Sequence, residues 1–268
     1  MSWRARLGVT HAETVGGGDI NEAWRAMLDD GRRVFVKTHA SPPPGMYAAE
    51  ARGLDWLRAG PLRVPAVIAV DETFLALEWL ELGPRGGAAF DEAFGHGLAA
   101  LHRLGAPGFG FSEANYLATL PQDNTLAPDI ATFYVERRLR PLVRRLGDGE
   151  LEAAIDRLSP NLFGPPEPPA RLHGDLWWGN VAACAGQPVI FDPAVYGGHR
   201  EIDLAMLALF GSVSPRLIAA YEDVWPLERD WRERVRLWQL YPLAAHAVLF
   251  GGGYPAQLVR ALDALTSG

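Results

Sequence analysis

Cysteine is almost missing: Cys184 is the single one in 268 residues. One thiol excludes an intramolecular disulfide and any zinc site built on several cysteines, and it suits a reducing compartment. No activating base stands beside it, so it reads as a small apolar residue in a strand-to-strand connection, not as a nucleophile. Long apolar runs are missing too. No stretch approaches the roughly 20 residues of a membrane span, and the opening MSWRARLGVTHAE lacks the apolar centre of a signal peptide. A positive balance is absent as well. The 25 Lys and Arg face 32 Asp and Glu, a formal charge of −7, which argues against a general nucleic-acid binder. The one basic run, ERRLRPLVRR (136–145), has Leu139, Leu142 and Val143 interleaved at helical spacing and reads as a solvated helix face. With no internal repeat and no low-complexity tract, these absences describe a soluble cytoplasmic protein with no nucleic-acid or membrane partner.

What is present is ample apolar content, 49% of residues, enough for the core of one large domain or of two lobes. The most informative stretch is HGDLWWGN, from His173 to Asn180, which follows the Pro-rich break GPPEPPA. Beyond it lies VIFDPA, a short apolar strand ending at Asp192. An Asp, an Asn five positions later and then a strand-terminal Asp is the layout of a phosphoryl-transfer loop. In such a loop the first Asp takes the proton of the substrate hydroxyl. The Asn and the second Asp hold Mg²⁺ on the nucleotide phosphates. D-x₄-N alone is a weak signal, and a Gly-Asn turn with an N-cap Asp would produce it. HGD-x₄-N followed at this distance by a strand ending in DP is strong.

The first third reads as a small β-rich lobe. Gly16, Gly17 and Gly18 would let backbone N–H groups approach an anion closely. Asp30-Gly31 between two strand-like runs signals a hairpin. The next run, VFVK, ends at Lys37, which alone would be an ordinary surface lysine. A helical stretch after Pro42, Pro43 and Pro44 carries Glu50, placed to pair with that ammonium. Two further strand runs, RVPAVIAV and TFLALEWL, lead to Glu78-Trp79-Leu80 and a composition shift that reads as a hinge. Backbone groups there would meet an adenine edge. A glycine loop, a lysine, a helix glutamate and a hinge thus stand in the order a kinase arrangement requires.

The rest reads as a mainly helical lobe. FDEAFGHGLAALHRLG is an amphipathic helix in which His102 is a packed or capping residue. A long Gly/Pro/Asn-rich loop, GAPGFGFSEANYLATLPQDNT, has surface or substrate-lining duty. ATFYVERRLRPLVRRL and ELEAAIDRLSPNLF are helices, and after Asp192 come AVYGGHREIDLAMLALFG, with a helix at EIDLAM, and VSPRLIAAYEDVWPL. A closing helical stretch from Asp230 is interrupted at Gly251-Gly252-Gly253, and Trp225, Trp231 and Trp238 fill core.

Taken together, GGGDINEAWR, FVKTH, LEWLELG, NYLATLPQDNT, FYVERRLRPL, HGDLWWGN, DPAVYGGHREIDLAM and LFGGGY resemble the fructosamine-3-kinase / ketosamine-3-kinase family across nearly the whole chain. That family shares the protein-kinase-like fold of aminoglycoside and choline kinases. The resemblance implies an α+β, two-lobed fold, with a nucleotide-binding lobe over 1–80 and a catalytic, substrate-binding lobe over 81–268. It implies ATP and Mg²⁺ as cofactors and phosphoryl transfer to the 3-hydroxyl of a ketosamine, free or on a glycated protein, leading to deglycation. Residue by residue, Asp175 corresponds to the catalytic base and Asn180 and Asp192 to metal ligands. Gly16, Gly17, Gly18, Asn21, Lys37, Glu50, Glu78 and Leu80 fall at nucleotide-binding positions. Trp177 is the aromatic on which the sugar-amine packs, and Asp203 the buried carboxylate that braces the catalytic loop. Two departures stand out: Asp19 replaces a cysteine that several relatives carry in the Gly-rich loop, and Val248 replaces an Asn frequent in the late helix. The rival readings are a kinase of the same fold acting on an aminoglycoside, choline or another alcohol, and a nucleotide-binding pseudokinase that serves as an interaction module.

Overall fold

Alternation along the third strand decides how the smaller part of the molecule is built. In VFVK, Val34 and Val36 point to one face and Phe35 and Lys37 to the other, as the period of a strand requires. The computed structural model describes residues 2–16 and 21–266. A short helix, α1 (Trp3–Leu7), is capped by the Ser2 side chain and ends at Gly8 in the left-handed conformation. There follow β1 (Val9–Val15), β2 (Glu22–Leu28), β3 (Arg33–Thr38), α2 (Met46–Leu57), β4 (Val67–Asp71) and β5 (Phe74–Glu78). The five strands form one antiparallel sheet in the order β1-β2-β3-β5-β4. Val34 and Val36 join Ala26, Leu28, Phe74 and Ala76 in a small core that packs against Trp3 and Leu7 of α1. The other face, bearing Lys37, looks towards α2 and the larger part. The Asp30-Gly31 hairpin forms as the sequence implies: Gly31 takes a φ of 84° and Asp30 accepts from the Arg32 amide at 2.9 Å.

The larger part is mainly helical, with short strands at its upper edge. Its elements are β6 (Leu82–Gly83), α3 (Ala88–Arg103), β7 (Asn115–Leu117), β8 (Leu120–Gln122), α4 (Ile130–Thr132), a π-helical stretch (Phe133–Leu139), α5 (Arg140–Leu146) and α6 (Gly149–Asp156). After the Pro-rich segment come β9 (Ala170–Leu172), β10 (Val181–Cys184), β11 (Gln187–Ile190), β12 (Tyr196–Gly198), α7 (Glu201–Leu209), α8 (Pro215–Val224), α9 (Trp231–Phe250) and α10 (Tyr254–Thr266). The fold is therefore α+β, as expected. β6 pairs with β10, so the chain crosses from the sheet into the helical part just after β5. One large cluster gathers Phe133, Tyr134, Tyr196, Leu237 and Trp238. A second runs from Leu54 and Leu57 of α2 through Phe94, Leu98 and Leu101 of α3 to Leu204, Leu217 and Tyr221. That second cluster bridges the two parts and keeps α2 seated. No helix among the described residues is long and apolar enough to cross a membrane.

Three local readings change. The segment after α3 is no bare loop, because β7 and β8 make a hairpin in it whose turn residue Ala118 sits at φ 56°. The basic run is not wholly solvated either. Widening of the helix to a π turn over Phe133–Leu139 swings Arg138 inward. Its guanidinium is 1% exposed, stacks 4.1 Å above Tyr196 and 4.4 Å above Phe133, and donates to Asn124 Oδ1 at 2.5 Å. Asn124 passes the bond on to Asn115, and Asn115 to the Val195 carbonyl, so the π turn ties the β7–β8 hairpin to β12. Finally, Cys184 closes β10 itself, just before the β10–β11 turn.

The Pro break and the GHRE segment turn out to be electrostatic core. Arg200 makes a two-pronged pair with Glu167 at 2.8 and 2.7 Å and also donates to the Trp225 and Pro226 carbonyls. Its neighbour Glu201, fully buried, accepts two bonds from Arg234 at 2.9 and 2.7 Å and one from Trp238 Nε1 at 2.8 Å. Parallel donors matching a carboxylate in this way are the geometry in which a buried ion pair holds its own against desolvation.

Candidate active site

The loop between β9 and β10 is fixed from below before any functional group is placed. Gly174 has a φ of +80°, and a Cβ there would stand 2.1 Å from the Ala194 carbonyl oxygen, so no other residue fits. Asp203, fully buried in the first turn of α7, accepts from the backbone N–H of His173 at 2.8 Å and of Gly174 at 3.0 Å. It also meets His102 Nε2 at 3.2 Å, while His102 Nδ1 lies 2.7 Å from the Tyr221 hydroxyl. The packed histidine of α3 thus serves the brace from behind. His173 itself donates from Nε2 to the Phe191 carbonyl at 3.0 Å and accepts at Nδ1 from the Asp175 amide at 3.3 Å. Burial holds its pKa below the ordinary histidine value, which keeps the ring neutral in that tautomer.

Asp175 stands on this platform. The Asn180 carboxamide reaches back and donates to the Asp175 carbonyl at 2.8 Å, to its carboxylate at 3.1 Å and to the Asp192 carbonyl at 3.4 Å. Asp192 sits just beyond β11 at a φ of 59°, a left-handed conformation that Asp tolerates better than most residues. Burial and the charge of Asp192 push the Asp175 carboxyl up to about 7, with the Asn180 bond pulling it back. A carboxyl poised near neutrality is suited to accept a proton from a hydroxyl.

The residues fit a hard divalent cation. With the Asn180 NH₂ group spent on Asp175 and the Asp192 carbonyl, its carboxamide oxygen remains available as an oxygen ligand, and the Asp192 carboxylate lines the same cavity. Oxygen-only ligands of this kind suit Mg²⁺, and added positive charge would relieve the crowding of Asp175 and Asp192. Asp192 is also 2.5 Å from Lys37 Nζ, whose other partner is Glu50 at 2.7 Å. Burial alone would pull the lysine pKa down, but the two carboxylates outweigh it and hold the ammonium well above its usual value. Lys37 is the sole lysine of the chain.

The Lys37–Glu50 pair depends on α2 lying close to the helical part. A Cβ on Gly53 would make ordinary contact with Pro193 and Val195 at 3.4 Å, so α2 packs closely on that segment. Arg52, in the middle of α2, pairs with Glu113 at 2.5 Å, and Tyr116 donates to the Pro44 carbonyl at 2.8 Å, so the chain around β7 ties down the helix and the turn before it.

These groups converge on one cavity of about 550 Å³. Asn21, Lys37, Glu50, Asp175, Asn180 and Asp192 line it, and so does Trp177. Asn21 is held there by the Tyr47 hydroxyl at 3.2 Å. Gly16, Glu78 and Leu80 do not border this cavity, and Gly17 and Gly18 lie outside the described residues. The Glu78 carboxylate is committed to Arg63 and to the Ala66 amide at 3.1 Å, so its side chain secures β4 against β5. The two adjacent tryptophans part company. Trp177 turns to the cavity across Gly179, where a Cβ would collide with the indole at 2.2 Å. Trp178 turns inward onto Phe94 under Arg85. The far wall was not legible in the sequence: Phe210 from the end of α7, Pro242, His246 and Phe250 from α9, and Tyr254 from α10. Val248 is not part of that wall. It packs into the core on the other side of α9, so the exchange of Asn for Val leaves the cavity surface as it is.

Comparison with known proteins shows the family of the chain. The family model described as fructosamine kinase matches residues 3–267. A relative from Enterococcus faecium, named a probable ketoamine kinase, is 38% identical over 263 residues, covering 93% of this chain and 93% of the relative. A solved structure of a candidate fructosamine-3-kinase from Thermobifida fusca superposes with a TM-score of 0.90 at 40% identity, covering 100% of this chain and 99% of that one. A choline kinase from Streptococcus pneumoniae, at 15% identity, shares the fold alone, with a TM-score of 0.65 over 99% of this chain and 96% of its own.

Proposed function

Since the chain belongs to the fructosamine kinase family, we propose that this phosphotransferase uses ATP to phosphorylate the 3-hydroxyl of a ketosamine. The substrate is a fructosamine or ribulosamine, free or attached to a protein amine. The supporting observation is the convergence of Lys37, Glu50, Asp175, Asn180 and Asp192 on one cavity with an aromatic far wall. Asp175 takes the proton of the acceptor hydroxyl as its oxygen bonds to the γ-phosphorus and the bond to the β,γ-bridging oxygen breaks, releasing ADP. Lys37, steered by Glu50, offsets charge on the phosphates. Asn180 and Asp192 would hold Mg²⁺, which when bound supplies positive charge against the phosphates. Asn180 keeps the Asp175 carboxylate aimed, so the hydroxyl meets an oriented base. A nucleotide-binding lobe over 1–80 and a catalytic lobe over 81–268 belong to the same reading.

Phosphate on carbon 3 has a chemical consequence. When the neighbouring ketone shifts to its enol towards the amine-bearing carbon, that phosphate becomes an allylic leaving group. Elimination and hydrolysis then free the amine, which makes the kinase a deglycating repair enzyme. Within the cavity lining the only carboxylates among the described residues are Glu50, Asp175 and Asp192, all at the phosphoryl end. That favours an acceptor with one positive charge over a polycationic aminoglycoside, which needs several carboxylates. The test is an ATP-coupled screen of ketosamines beside aminoglycosides and choline. Turnover of ketosamines, with slow loss of the sugar adduct from glycated protein afterwards, is expected. Turnover confined to aminoglycosides or choline would overturn the substrate assignment and leave the fold intact, and a protein consuming no ATP with any acceptor would be a pseudokinase.

A further inference from the structure

The acceptor end of the cavity is a chain of rings with one nitrogen lone pair in the middle. Trp177 meets Phe210 edge-on, with centroids 6.1 Å apart at 74°. Phe210 lies 5.0 Å from the His246 ring, which in turn lies 5.4 Å from Phe250 and 4.9 Å from Tyr254. All five border the cavity that holds Asp175. His246 Nδ1 is 2.7 Å from the Pro242 carbonyl oxygen. A carbonyl only accepts, so Nδ1 carries the proton and Nε2 of the neutral ring carries the lone pair. Burial among the rings holds the His246 pKa below that of an ordinary histidine, so the lone pair persists at neutral pH. Among the described residues no hydrogen bond occupies Nε2.

We propose that His246 and the surrounding rings form the subsite for the amine of the substrate: Nε2 accepts a hydrogen bond from the protonated secondary amine joining the sugar to its carrier. This rests on the ketosamine reading above. The chemistry of the wall selects such a group. A secondary ammonium has N–H bonds to donate and one charge for the ring faces of Trp177, Phe210 and Tyr254 to attract. An acceptor nitrogen meets it without the cost of burying a second carboxylate. Trp177, Phe210 and Phe250 are 40, 38 and 49% exposed, so the rings reach the mouth of the cavity, where the carrier attached to that amine leaves towards solvent. A free small amine and a lysine side chain on a protein present the same group here.

The experiment compares a ketosamine of a simple alkylamine with its N-acetylated counterpart, which keeps the sugar but has no ammonium. The wild-type enzyme should show a KM for the acetylated compound at least about tenfold higher, with the KM for ATP unaltered by the choice of acceptor. In His246→Phe, which keeps the ring and removes the lone pair, the KM for the ketosamine should rise about tenfold more than that for the acetylated compound. Equal treatment of both compounds by the wild type, or a His246→Phe effect of the same factor on both, overturns the proposal. The wild-type comparison stands even if the variant fails to fold. A wild type that turns over neither ketosamine, while phosphorylating another alcohol, overturns the substrate reading itself, so the two failures are distinct.

Discussion

The phenol of Tyr134 stands in the gap that Pro242 opens in α9. Proline has no N–H, so the Trp238 carbonyl four residues earlier lacks its helical partner. Tyr134 supplies one: its hydroxyl lies 2.8 Å from the Trp238 oxygen and 2.9 Å from that of Leu237, and accepts from the Tyr241 amide at 3.1 Å. The helix therefore continues past the break, and the turns beyond it carry Ala245, His246, Leu249 and Phe250 to the acceptor wall.

Tyr134→Phe removes this plug with almost no change in volume. Leaving a buried carbonyl unsatisfied costs about 1–3 kcal/mol, so the variant should unfold earlier in urea by that amount. Because the affected turns carry the aromatic wall that we assign to the acceptor, KM for the acceptor should rise several-fold while KM for ATP holds. A loss of stability with both constants at wild-type values would confine Tyr134 to a purely architectural part.

Asp175→Asn keeps the shape of the loop and removes the carboxylate we assign as the base. Turnover should fall by roughly 10²–10⁴-fold, with ATP binding by calorimetry close to wild type. Wild-type kcat in the purified variant would exclude this carboxylate as the proton acceptor.

Acylation by an amine-directed reagent has a single ε-amine to reach, since Lys37 is the only lysine, and that amine is 5% exposed between Glu50 and Asp192. An acyl-phosphate derivative of ATP should place one label on Lys37, detected by peptide mass spectrometry, and excess ATP should block it. The expected contrast is with a small succinimidyl ester, which should react faster with the N-terminal amine than with Lys37. Rapid, ATP-insensitive labelling of Lys37 would contradict its burial in the nucleotide site.

Glu201→Gln leaves the Arg234 guanidinium buried with its charge only partly met. Breaking one side of a buried pair costs about 3–5 kcal/mol, which chemical denaturation would register directly. The double replacement Glu201→Gln with Arg234→Met should recover part of that loss, and a double variant less stable than the single would count against the pairing.

Acid should loosen the fold below neutrality, beginning in the range where an ordinary histidine takes up its proton. His199 is stacked on Trp238 at 4.9 Å, and burial pushes its pKa below 6.5 despite the attraction of Glu201 and Glu167. A depressed folded pKa means that the unfolded chain binds the proton first. The stabilisation is complete above about pH 6.5 and is lost as pH falls towards the folded value. Glu167 adds a second loss at lower pH: burial opposes its charge, but hydrogen bonds from Arg200 hold it below the usual carboxylate range. The melting temperature should fall between about pH 8 and about pH 5.5. His199→Asn, which keeps an acceptor for the Glu201 amide, should flatten the curve. Parallel curves for the two proteins would show that another group is responsible.

Chemistry that lies within one short segment could be read without coordinates. The D-x₄-N spacing places an Asn back across its own loop onto Asp175, a short-range consequence of chain geometry, and the strand before Asp192 ends two residues earlier than expected, at Ile190. Lys37 and Glu50 were legible because a strand and the helix after it are near neighbours in a small sheet. Legibility ended where contacts join distant segments through side chains. Nothing in HGDLWWGN distinguishes Trp177 from Trp178; the clash space over Gly179 and the pocket beside Phe94 make that decision. A 3.6-residue period puts Arg138 on the solvated face, whereas the π turn changes which residues face inward. The Pro-rich break looked like a mere interruption until Glu167 met Arg200 across the fold. Local sequence determined how Asn180 meets Asp175, since a loop of a few residues sets that contact, whereas packing across the fold brings Lys37 and Asp203 to the same end of the cavity. Tertiary packing decided the acceptor wall, because His246 and its rings come from three helices whose approach depends on the plugged break in α9.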